Sequence, residues 1–152
     1  MGHVRKKLVA GNWKMNGSQA LLEQFKQELV VPSNVEVVIC LPALYAPLGA
    51  GSKFNIGAQN ISEHDKGAHT GDISSPMLVD LQIQYVLVGH SERRLDHGES
   101  NELVALKVKN ALQHGLTPIL CIGEPLEVRE VGAVFSFIQA QLDAVTHVCT
   151  DG

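Results

Sequence analysis

Tyr85-Val86-Leu87-Val88-Gly89-His90-Ser91-Glu92-Arg93-Arg94 passes from an apolar run, through one glycine, into a polar and charged cluster. The run barely alternates in polarity and is rich in aliphatic residues. Strands of a parallel sheet, covered on both faces, read this way. Four similar runs accompany it, at residues 8–11, 35–41, 54–59 and 118–123.

Helical patterns separate the runs. Residues 20–30 place Leu21, Leu22, Phe25 and Leu29 on one face, with Ser18 as N-cap. Residues 42–50 and 76–81 hold only short helical turns. Residues 102–114 carry Val104, Ala105, Val108, Ala111 and Leu112 on one stripe, capped by Ser100 or Asn101 and ended by Gly115. Residues 134–145 repeat the pattern with Val134, Phe135, Ile138, Leu142 and Val145. Five strand–helix units in strict alternation specify an α/β fold with a parallel sheet. An open doubly wound sheet and a closed barrel both satisfy that order. The first turn, Gly11-Asn12-Trp13-Lys14-Met15-Asn16-Gly17, is not the G-x-G-x-x-G of dinucleotide-binding sheets, and the G-x-G at Gly49 and Gly51 follows no strand.

The bulk properties describe one domain, residues 1–152, with 45% hydrophobic and 18% charged residues. A net charge of −4 supplies no basic field for nucleic acid or a membrane surface. No apolar run approaches the roughly 20 residues that span a bilayer. The N-terminal residues lack the apolar segment of a secretory signal. Cys40, Cys121 and Cys149 are odd in number and irregularly spaced, so a disulfide framework is not expected and a reducing, cytoplasmic setting is. Seven histidines without ligand spacing argue against a metal site.

In parallel βα folds the chemistry collects where strands end. Asn12 and Lys14 follow the first run, and a lysine there is placed to stabilise a phosphate or a developing oxyanion. Taken alone it reads as a surface lysine before a catalytic one, and Trp13 as a packing residue. His90 follows the fourth run. Ser91 and Glu92 begin a helical turn whose free N–H groups point at the imidazole, which favours the neutral ring. A neutral ring donates a hydrogen bond to a carbonyl as an electrophile. Glu124, after the fifth run, reads as a supporting or capping acid before it reads as a base. Cys121 reads as core before nucleophile.

Gly11-Asn12-Trp13-Lys14-Met15-Asn16-Gly17 and Val88-Gly89-His90-Ser91-Glu92-Arg93-Arg94 together resemble the triosephosphate isomerase family. Gly57-Ala58-Gln59-Asn60, Gly67-Ala68-His69-Thr70-Gly71-Asp72-Ile73-Ser74 and Cys121-Ile122-Gly123-Glu124 support this, in the family's order, across about residues 8–145. The resemblance implies a (β/α) TIM barrel of which five of eight βα units are present. It implies interconversion of dihydroxyacetone phosphate and glyceraldehyde 3-phosphate through an enediol(ate), without cofactor or metal. Lys14 matches the family's electrostatic lysine, Asn12 the asparagine that contacts substrate beside it, and His90 the electrophilic histidine. This family is itself an established example of a histidine kept neutral for catalysis. Glu92 matches a glutamate that contacts the lysine. The loop after the third strand resembles the family's dimer loop. Thr70 is then expected to reach a neighbouring subunit's site, and Asp72, where the family more often has Glu, to pair with Arg93 of that subunit. Another phosphosugar barrel enzyme fits less well, because the Asn-Trp-Lys and His-Ser-Glu pairings argue against it.

The family's general base lies in a Tyr-Glu-Pro-Val-Trp-like segment after a sixth strand, and neither that segment nor the later phosphate loops occur here. The expectation is therefore a chain with negligible isomerase activity by itself. The alternative expectation is a non-catalytic half-barrel that self-associates through its unpaired sheet edges.

Overall fold

A computed structural model describes residues 5–149; residues 1–4, read above for a leader, and residues 150–152 lie outside the described part. Five strands alternate with helices: β1 (Lys7–Asn12), β2 (Val35–Leu41), β3 (Asn55–Ala58), β4 (Tyr85–Val88) and β5 (Thr117–Leu120). All four pairings are parallel, in the order β1-β2-β3-β4-β5. A doubly wound sheet reverses its strand order at a switch point, whereas a (β/α) barrel never does. Strand order thus decides between the two architectures that the sequence allows: the fold is an incomplete TIM barrel.

The helices are α1 (Gln19–Glu28), α2 (Ser75–Asp80), α3 (Ser91–His97), α4 (Asn101–Gln113), α5 (Leu126–Glu130) and α6 (Val134–Thr146). Ser18 caps α1 by accepting from the Leu21 N–H, and Ser100 caps α4 by accepting from the Leu103 N–H. The turn expected at residues 42–50 forms as a 3-10 turn over Ala46–Gly49. Only α5 has no counterpart among the expected elements, being a single five-residue turn with no buried residue. No helix among the described residues is long and apolar enough to cross a membrane.

Side chains alternate between the two faces of the sheet. Ile39, Leu41, Ala58, Val86 and Val88 pack with Leu22, Leu78, Val104, Val108, Ala111 and Val145 of the helices in the main core. Val38, Cys40, Tyr85 and Leu87 form a second cluster with Ile119 and Cys121, built from strand residues and the one that follows β5. The helices therefore lie on the convex face, and the strands curl around the second cluster. Gly57 permits that curl, since a Cβ there would stand 2.7 Å from Cys40 Sγ and 3.1 Å from a Val38 methyl.

Two helical stripes are rotated relative to expectation. On α6, Phe135 is 91% exposed, and the buried face runs instead through Gln141 and Val145. Gln141 turns inward because its side chain donates to the Gly123 carbonyl and accepts from the Gly123 N–H. On α4, Leu112 is exposed while Lys107 and Asn110 are buried. Lys107 donates to Glu99 Oε1 at 2.5 Å and to Asn60 Oδ1 at 3.0 Å. Burial works against the Glu99 carboxylate, but Lys107 and Arg93 donate to it and hold its carboxyl below the usual carboxylate range. Its contribution to stability is present above the ordinary carboxylate range and is lost as pH falls through the lowered value.

Two stability predictions follow from this packing. Gly57→Ala is expected to destabilise the chain by about 1–3 kcal/mol through overpacking of the concave cluster. Lys107→Met is expected to cost about 3 kcal/mol, because it leaves a buried carboxylate half-paired. Urea unfolding of each variant measures both.

Candidate functional site

β1 ends at Asn12, and the chain turns at once. Lys14 has a φ of 54°, a left-handed conformation that costs a residue with a Cβ about 1–2 kcal/mol. Two side chains hold it there. Asn12 Oδ1 accepts from the Lys14 N–H at 2.8 Å, and Gln59 Nε2 donates to the Lys14 carbonyl at 2.9 Å. Gln59 also donates to the Cys40 carbonyl at 3.1 Å, so one amide ties together the ends of β1, β2 and β3. Trp13 is the packing residue expected. Its ring meets Phe25 of α1 edge-on with centroids 5.3 Å apart.

The strained turn aims Lys14 across the sheet. Its Nζ donates to Glu92 Oε1 at 2.7 Å. In a flat sheet β1 and β4 would stand about 14 Å apart, three strand spacings. Curling brings their C-terminal ends within reach. Both side chains are about half exposed (51% and 50%), so the pair adds little stability; what it sets is position. The Lys14 ammonium, hydrogen-bonded to it, holds the Glu92 carboxyl below the usual carboxylate range.

His90 is the N-cap of α3. Its Nδ1 accepts from the Glu92 N–H at 3.2 Å. Glu92 Oε2 lies 3.5 Å from the same nitrogen. These two contacts exclude each other, because the first needs a lone pair on Nδ1 and the second a proton. The amide contact is the shorter, and the carboxylate is already engaged by Lys14. In the amide contact Nδ1 offers its lone pair, which leaves Nε2 as the ring nitrogen placed to donate. Gly89 precedes His90 with a φ of 71°, and a Cβ there would stand 2.9 Å from Arg94 Nη2 and from both Val104 methyls. Arg94 Nε donates to the Gly89 carbonyl at 2.7 Å and Nη1 to Asn101 Oδ1 at 2.7 Å, anchoring the turn that carries the imidazole.

Asn12, Lys14, His90 and Glu92 thus come together at one end of the sheet. Thr70, Asp72 and Arg93 do not join them. Thr70 lies exposed on the loop of residues 61–74. Asp72 Oδ2 accepts from Ser62 Oγ at 2.7 Å, and Arg93 Nε donates to Glu99 Oε1 at 2.6 Å, so both have partners within the chain. Glu124 pairs with Arg129, whose Nε donates to it at 2.8 Å. Burial pushes the Cys40 thiol up to about 12, with Cys121 nearby adding to the effect, which suits a core residue and not a nucleophile. The residue roles that sequence reading missed are those of Gln59 and Arg94. Both stand in the motifs quoted above, but their partners, backbone carbonyls and for Arg94 also the Asn101 side chain, leave no pattern in the sequence.

Against known proteins, the family model described as triosephosphate isomerase matches residues 7–151. Among similar curated proteins, the triosephosphate isomerase of Thiobacillus denitrificans is 51% identical over 150 residues, covering 93% of this chain and 59% of that protein. That of Herminiimonas arsenicoxydans is 49% identical over 150 residues, covering 93% and 60%. That of Methylococcus capsulatus is 45% identical over 149 residues, covering 93% and 60%. The chain spans about 60% of the length of the curated relatives it matches. With nearly all of its described residues inside one family's pattern, and with the fold that pattern requires, the chain belongs to the triosephosphate isomerase family.

Proposed function

We propose that this site binds a triose phosphate and serves the interconversion of dihydroxyacetone phosphate and glyceraldehyde 3-phosphate. The observation that carries the reading is the Lys14–Glu92 pair beside His90, whose Nε2–H is left as the donor of the ring. An enediolate forms when a base takes the proton next to the carbonyl and the electron pair moves onto the carbonyl oxygen. His90 Nε2–H donates to that oxygen, and the Lys14 ammonium stabilises the charge that develops on it and on the phosphate. Asn12 contacts substrate beside Lys14, and Glu92 keeps the ammonium in place. Such a preorganised site gains most where charge appears in the transition state.

The base is a separate matter. Of the carboxylates that follow strand ends here, both are held below the usual carboxylate range: Glu92 by its hydrogen bond from Lys14, and Glu124 first by its own backbone N–H and then by Arg129. A general base works best with a pKa near the operating pH, and its help is typically worth about 10²–10⁴ in rate. Residues 1–152 are thus proposed to supply substrate binding and electrophilic polarisation without the proton-abstracting carboxylate.

A second copy is proposed as partner, with Thr70 of the exposed loop reaching the neighbouring site and Asp72 and Arg93 pairing between copies. That pairing would exchange the contacts of Asp72 with Ser62 and of Arg93 with Glu99. Free Cys40, Cys121 and Cys149 support a reducing, cytoplasmic setting. The half-barrel alternative draws support from β1, an edge strand with Leu8 and Val9 45% and 57% exposed. Sedimentation separates the two: association that survives Val9→Lys but not Thr70→Trp favours the loop, and the reverse pattern favours the edge.

Titration with 2-phosphoglycolate, whose carboxylate copies an enediolate, tests the site. Binding is expected to weaken about 10-fold or more in Lys14→Ala, the loss of one charge-assisted hydrogen bond. Equal binding by the variant removes Lys14 from the site. The 152-residue chain is expected to turn over glyceraldehyde 3-phosphate no faster than buffer does, and measurable isomerisation by it would overturn the assignment of the base to another segment.

A further inference from the structure

The loop of residues 61–74 leaves the sheet after β3 and returns at α2. Its limbs are stitched at the base, where the Ser62 N–H donates to the Ile73 carbonyl at 2.8 Å and Ser62 Oγ to Asp72 Oδ2 at 2.7 Å. Midway, the His64 and His69 rings stack with centroids 3.9 Å apart and planes 6° from parallel. A third set of contacts reaches outside the loop. Asn110 of α4 is buried, and its side chain touches the outgoing limb and the start of α2. Its Oδ1 accepts from Ser75 Oγ, the first residue of α2, and its Nδ2 donates to Asp65 Oδ1 at 2.7 Å and to the Glu63 carbonyl at 3.4 Å on the outgoing limb. His114, at the end of α4, puts Nε2 2.8 Å from the same Asp65 oxygen.

An amide that engages both the outgoing limb and the first residue of α2, where the loop ends, fixes the angle at which the loop leaves the body of the protein. We propose that Asn110, Asp65 and His114 form a clamp that locks this loop onto α4, making them positioning residues for Thr70 on its returning limb. The consequence for Thr70 rests on the proposed second copy; the clamp itself does not. Side chains differ in what they can contribute. Asn110 is buried and cannot be removed without leaving the Ser75 hydroxyl unpartnered in the core. His114 is partly exposed and caps no other group, so it is the place to open the clamp.

Hydrogen exchange of the 152-residue chain, read by mass spectrometry on a peptide covering residues 63–73, tests this with neither substrate nor partner. In His114→Ala the loop is expected to exchange about threefold to tenfold faster, a range reduced because Asp65 is half exposed. His114→Gln, whose amide can still donate to Asp65, is expected to restore the original rate. Peptides from β2 and β4 serve as internal reference and are expected to stay unchanged. The clamp is overturned by a loop rate in His114→Ala equal to that of the parent, by no rescue in His114→Gln, or by faster exchange throughout the chain. A change in self-association with no change in loop exchange likewise counts against the clamp while leaving the second-copy reading standing.

Discussion

Right-handed crossovers between parallel strands that follow one another in chain order place every helix on the same side of the sheet. That constraint divides this molecule into its two clusters. The convex face receives side chains from α1, α2, α4 and α6 and becomes the main core. The concave face receives no helix and is filled by Val38, Cys40, Tyr85 and Leu87 with their strand neighbours. A face that no helix covers is shielded from water only by curling on itself. At Gly57 a Cβ would crowd Cys40 and Val38 of β2 and meet Tyr85 of β4, so the absence of a side chain there lets both pack over β3.

The site is a product of that curvature. Lys14 and Glu92 are 78 residues apart and follow strands β1 and β4, which are not neighbours. They meet because the sheet bends. The backbone then refines the meeting: a left-handed Lys14, held by Asn12 and Gln59, aims the ammonium, and a left-handed Gly89, held by Arg94, presents the imidazole. The sparsely populated φ at Lys14 is thus held by two hydrogen bonds to its own peptide groups, the kind of local strain that clusters at functional sites. The first turn of α3 adds the last element, an amide N–H that takes up Nδ1 of His90 and leaves Nε2 placed to donate.

Much of this was legible in the chain. All five strands and the capped helices α1 and α4 announce themselves through apolar runs, Ser18, Ser100 and Gly115. So do Asn12, Lys14, His90 and Glu92, because polar residues at strand ends carry the chemistry of βα folds. What the pattern misjudged are faces, and for one reason. Hydrophobic periodicity assumes that buried means apolar. Gln141 on α6 and Lys107 and Asn110 on α4 are buried because each has hydrogen-bond partners supplied from outside its own helix: Gly123, Glu99 with Asn60, and the outgoing limb of the 61–74 loop with Ser75. Such partners leave no periodic trace.

The sequence by itself determined the alternation of strands and helices, the family resemblance and the candidate residues of the site, since all of these depend on side-chain type and local spacing. Element order alone fitted a doubly wound sheet as well as a barrel; the resemblance pointed to the barrel, and strand order bears that out. Tertiary structure alone decided which nitrogen of His90 is placed to donate, what holds Lys14 in a strained turn, and how the exposed loop is tied to α4. Apart from the local Asn12–Lys14 bond, those properties rest on contacts between groups 35 or more residues apart, or on backbone amides whose direction exists only once a helix has formed.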